Sequence, residues 1–86
     1  MNYSTYKIKY QFNKETGQVT AEVPSLNYLS SFGKNFKQAE ANIKEAIQAY
    51  LEALAKEHAP VPAEDRPRWG TFIKVPTPVS SRYAFA

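Results

Sequence analysis

Histidines and clustered carboxylates are the side chains that most readily move protons near neutral pH. This chain offers one histidine, His58, and three glutamates in a helical stretch, Glu40, Glu45 and Glu52. The spacing of the glutamates disperses them around a helix with lysines between them, so a solvated face is expected rather than a catalytic pair. His58 has no cysteine or cluster of carboxylates near it in sequence and falls where a helix should end, which suits a capping or surface role against the negative end of the dipole. The serines lie in nothing that resembles a nucleophile elbow. With no cysteine, disulfides and thiolate metal sites are excluded. No catalytic, cofactor-binding or metal-ligating residue is assigned, and the chain is expected not to be an enzyme.

Binding chemistry is better represented. Arg66-Pro67-Arg68-Trp69 sets two guanidinium groups and an indole in a segment stiffened by proline, a combination suited to an interface. Trp69 would equally serve as a lid on the open end of a small core. Tyr83 and Phe85 in the tail supply further aromatic surface for docking on a neighbour. Arg66, Arg68, Trp69, Tyr83 and Phe85 are therefore the candidate partner-interface residues. Asn42, polar within an apolar helix turn, is expected to bond the backbone near the end of the second strand.

The elements that must position these groups follow from periodicity. Tyr6, Ile8, Tyr10 and Phe12 alternate with Lys7, Lys9 and Gln11, which makes a half-buried strand with its cations on the opposite face. A polar turn at 13–17, with Gly17 free to take positive φ, leads into Val19, Ala21 and Val23, so the two strands form an antiparallel hairpin. Pro24 ends the second strand, and 28–32 reads as a short third one before Gly33 swings the chain away. Asn35 and Gln38 have capping-box spacing. From there Phe36, Ala39, Ile43, Ala46, Ile47, Tyr50, Leu51 and Leu54 form one apolar stripe, running to about His58 before Pro60 and Pro62 stop the helix. Residues 69–75 have the composition of a final strand. The expected fold is α+β: an antiparallel three-stranded sheet with one long helix packed on it and a C-terminal strand, in the order β-β-β-α-β. Residues 1–62 form the β-β-β-α core. Residues 63–86 form a proline-rich linker, final strand and tail that complete the same single domain.

Eighty-six residues make a thin core, which aromatic-rich chains often enlarge by self-association, and a homo-oligomer (dimer or higher) is expected. The net charge of +3 is a mild bias that permits RNA without arguing for it. No apolar run is long enough to span a bilayer and no signal-peptide pattern opens the chain, so a cytoplasmic location without membrane contact is expected. Asn2-Tyr3-Ser4 matches a glycosylation acceptor, and without a secretory signal the match has no mechanism.

A strand ending Ala21-x-Val23-Pro24, then Gly33, a capped helix start and Ala39-x-x-Asn42-Ile43-x-Glu45-Ala46-Ile47-x-x-Tyr50-Leu51, resembles the HicB-like antitoxin domain over roughly residues 3 to 62. The resemblance implies a non-enzymatic β-β-β-α-β protein that binds a small HicA-like ribonuclease toxin, commonly within an oligomer, and neutralises it by occlusion. Two departures are visible. Ser25 and Asn27-Tyr28 stand where that family usually has an acidic residue and a Pro-Gly turn. Residues 59–86 are too short and proline-rich for the helix-turn-helix or ribbon-helix-helix of many relatives, so DNA binding is not expected. The alternative is a small RNA-binding α+β domain, motivated by Lys7, Lys9 and the Arg66 to Trp69 segment.

Overall fold

The computed structural model describes residues 3–65 and 69–77. Strands β1 (Tyr3–Phe12), β2 (Val19–Val23), β3 (Leu29–Gly33) and β4 (Thr71–Pro76) form one antiparallel sheet in the order β3-β2-β1-β4, and helix α1 (Phe36–Lys56) covers one face. The C-terminal strand thus enters the same sheet as its fourth member beside β1, with Tyr6 opposite Ile73 and Ser4 opposite Val75. Along β1 the predicted period of two holds. Ser4, Tyr6 and Ile8 are buried under the helix, while Lys7 and Lys9 point to the uncovered face.

The core is a seam between α1 and the sheet. Ala39, Ile43, Ile47 and Leu51 are fully buried against Val19, Ala21, Val23, Tyr6 and Val75. Each large aliphatic side chain taken out of water there contributes about 1.5–3 kcal/mol, so packing rather than propensity holds the helix. Two expected members of the seam lie outside it. Phe36 and Phe12 are each 54% exposed, because Phe36 opens the first turn and Phe12 closes β1, both at the margin of the covered area. Phe36 meets only the edge of the Tyr10 ring, at 5.5 Å between centroids.

Several local expectations are refined. Gly17 does take positive φ, at +77°. The third strand begins at Leu29, because Asn27 and Tyr28 are both left-handed after the 3-10 turn Pro24–Leu26. The Asn35 side chain accepts from Gln38 N–H at 2.8 Å, but Gln38 Oε1 returns to Lys34 N–H rather than to that of Asn35. The helix ends at Lys56, two residues short of His58, whose own φ of +57° places it beyond the last helical residue. Asn42 donates to the Phe32 carbonyl at 2.8 Å, so it bonds the third strand rather than the end of the second.

That last bond has a purpose set by strand alternation. Asn13 N–H donates to Gln18 at the hairpin, so odd-numbered residues of β1 turn their backbone groups toward β2, and Ser30 and Phe32 of β3 turn theirs outward. Asn42 caps one of these outward carbonyls on an edge strand, which blunts the edge against unwanted pairing. At the other margin Pro76 places its missing N–H outward, where no partner strand needs it.

Where β1 runs beyond β2, its free edge is taken by the segment after the helix. Thr5 N–H donates to Glu64 Oε1 at 2.9 Å, Asp65 N–H to the Thr5 carbonyl at 2.9 Å, and Lys7 N–H to Asp65 Oδ2 at 2.8 Å. Asp65 Oδ1 also accepts from the Ser25 hydroxyl at 2.6 Å. Beneath this strap the Tyr6 hydroxyl donates to the Pro62 carbonyl at 2.9 Å, and Ser4 and Thr77 share a buried hydroxyl contact at 2.6 Å.

Burial raises the Tyr6 hydroxyl above its ordinary value of 10.0; a hydrogen bond with Ser4 pulls it partly back, and the charges of Glu64 and Asp65 add to the rise. An acid whose folded pKa is raised contributes stability that is fully present below the unfolded value and is lost as pH climbs through the folded one. Unfolding free energy should therefore begin to fall near pH 10 and keep falling above it. Tyr6→Phe should flatten that alkaline slope in denaturant titrations, leaving the share from Tyr10, which burial and Glu40 also raise.

Candidate binding surface

The face of the sheet opposite α1 interleaves lysines with aromatic rings. Register puts Tyr3, Lys7 and Lys9 of β1 beside Phe72 and Lys74 of β4 and Glu22 of β2 on this face, with Phe32 of β3 opposite Thr20. Trp69, just before β4, is 77% exposed, and Lys7 Nζ stands 4.8 Å from its ring centroid. The Lys7 stem passes close over Gly70, where an added Cβ would lie 3.1 Å from Lys7 Cε and where φ is +111°. A second pair repeats the arrangement, with Lys74 Nζ 5.8 Å from the Tyr3 ring. Both are cation–π distances. A shallow trough of about 240 Å3 continues the surface past Lys9, Gln11, Thr20 and Glu22.

Of the five predicted interface residues, Trp69 is placed here and is a surface group rather than a lid, given its exposure. Arg66, Arg68, Tyr83 and Phe85 lie outside the described residues. Sequence reasoning missed Tyr3, Phe72 and Lys74. Their signal was the alternation within 71–76, which becomes informative only once β4 is known to pair with β1.

A second exposed surface lies at the start of the helix, where Phe12 and Phe36 flank half-buried Tyr10. A notch of about 290 Å3 between β3 and α1 is lined by Ser31, Asn42, Glu45, Ala46 and Ala49, with Glu45 as its one carboxylate. Among the described residues no group of three or more histidines and carboxylates converges as a metal site. No helix among them is long and apolar enough to cross a membrane.

The fold and surface define an α+β domain of β-β-β-α-β order, with one sheet face left open among the described residues. The chain belongs to the UPF0150 family. It is 41% identical over 51 residues to a UPF0150 protein of Thermoplasma acidophilum, covering 59% of this chain and 74% of that one. It is 47% identical over 49 residues to a UPF0150 protein of Synechocystis sp., covering 57% of this chain and 62% of the relative, so it spans less than two thirds of that relative's length. No protein-family profile matches the chain, and no solved structure matches it.

Proposed function

We propose that this protein works by binding rather than catalysis, as a HicB-like antitoxin that neutralises a small HicA-like ribonuclease toxin in the cytoplasm by covering it. The observation that carries the reading is the exposure of six large apolar side chains, Tyr3, Phe12, Tyr28, Phe32, Phe36 and Trp69, each more than half accessible on a small domain. Rings exposed side by side, as Phe12 and Phe36 are around Tyr10, suit a site of association. The residues of the HicB-like signature also take coherent roles: Ala39, Ile43, Ile47 and Leu51 fill the seam and Asn42 ties the helix to β3.

The departure at Ser25 has a structural counterpart, since its hydroxyl donates to Asp65, whereas an acidic residue there would set two carboxylates against each other. The outward backbone groups of Phe72 and Lys74 on β4 give a second copy an edge to pair with, which supports self-association into a dimer or larger form.

The test is to mix the purified protein with the product of the neighbouring reading frame and with a HicA-like ribonuclease, and to follow cleavage of a labelled RNA. A stable complex and protection of the RNA are expected, with both weakened by Phe12→Ser and Phe36→Ser together. Undiminished cleavage with no complex at micromolar concentration would overturn the reading.

A further inference from the structure

The open sheet face, which carries Tyr3, Phe32 and Trp69 among those exposed side chains, also has a charge pattern that selects its own ligand. Its described charges are three ammonium groups, Lys7, Lys9 and Lys74, against the single carboxylate of Glu22. The nearby Glu64 and Asp65 accept hydrogen bonds from the β1 backbone at its margin. Cations and rings interleave here instead of occupying separate patches, and both ring-bound lysines sit on flexible four-carbon stems. A ligand that offered anions alone would leave the rings idle, and an apolar one would strand the lysines. Alternating phosphates and flat bases match both.

We infer that this face is a platform for single-stranded polynucleotide, with bases stacking on Trp69 and Tyr3 while Lys7 and Lys74 swing from the ring faces to the phosphates. Helix α1 lies on the other side of the sheet and leaves the approach clear. A broad sheet face cannot enter a duplex groove as a helix does, but it accepts splayed bases, so an unpaired strand is preferred. Lys9 and the trough beside it extend the track toward the hairpin.

Trp69 is the chain's one tryptophan, so its fluorescence reports stacking directly. The experiment titrates the full chain with fluorescein-labelled twelve-nucleotide oligo(U), oligo(dT) and a duplex of equal length, reading anisotropy and tryptophan quenching together. Binding of an unpaired strand with quenching is expected, and the two single strands distinguish RNA from DNA as the preferred source. With three lysines engaged, affinity should fall about twentyfold between 50 and 200 mM salt. Trp69→Ala should weaken binding about tenfold and Trp69→Phe much less. Lys7→Gln with Lys74→Gln should weaken it further, while Lys44→Gln on the wet side of α1 should leave it unchanged. Circular dichroism confirms that each variant is folded. The proposal is overturned if neither single strand binds at 50 mM salt, if the duplex binds as tightly without quenching, or if Lys44→Gln is as damaging as Lys7→Gln. It is equally overturned if the Lys7 and Lys74 substitutions abolish only self-association, which would make a second copy the occupant.

Discussion

Ile47→Ala is expected to lower the unfolding free energy by about 3–4 kcal/mol, through lost transfer energy and the cavity left beneath the helix. Ile47 is fully buried at the middle of the seam, with Ile43 one turn before it and Leu51 one turn after. Those neighbours are fixed on the helix and cannot collapse far into the gap. A chain of 86 residues has a total stability on the order of 4–13 kcal/mol, so the loss would leave much of the protein unfolded at modest denaturant concentration. Phe36→Ala supplies the contrast. By sequence pattern it belongs to the same stripe, yet it is more than half exposed, and its removal should cost about 1 kcal/mol or less. Urea titrations of the two variants check both values, and equal losses would show that the seam has been drawn in the wrong place.

Gly33→Ala should be nearly as damaging, for a reason unrelated to backbone freedom. A Cβ at this position would lie 2.5 Å from the backbone nitrogen of Ala39 and 2.8 Å from the backbone carbon of Gln38. Neither atom can rotate aside, because both belong to the first turn of α1, which Asn35 caps at Gln38 N–H. Relief requires moving the helix start away from β3, which would also stretch the Asn42 bond to Phe32. Overpacking of this kind costs about 2–3 kcal/mol, or a fall in Tm of roughly 8–20 °C for a domain of this size. Gly17→Ala tests the alternative that any glycine would behave alike. It has open space around it and a positive φ, so strain of about 1 kcal/mol and no displacement of the helix are expected.

The elements were legible because their periods are clean: two along Tyr6, Ile8 and Tyr10, and three to four along Ala39, Ile43, Ile47 and Leu51. Helix capping by Asn35 and the hairpin at Gly17 were equally readable, since each is decided by a few adjacent residues. What sequence could not supply was any relation between distant segments. Nothing local indicates that 71–76 lies beside β1, so Lys74 and Tyr3 gave no sign of being neighbours. The reach of Asp65 to Lys7 and Ser25 was hidden for the same reason. Phe12 and Phe36 were misplaced because periodicity assigns a side chain to a face but does not say how far the opposing element extends. The candidate surface was thus half visible. Lys7, Lys9 and Trp69 stood out by type, and their assembly into one face awaited the strand order.

The pairing of β1 with β4 also governs when the molecule becomes whole. Ser4 touches Thr77 across a separation of 73 residues, so β1 keeps one flank unsatisfied until β4, synthesised long after it, has left the ribosome. Closing so long a loop is slow relative to forming a hairpin or a helix. During that interval the nascent chain exposes the unpaired backbone edge of its own central strand, and a chaperone would find its target there rather than on the finished surface.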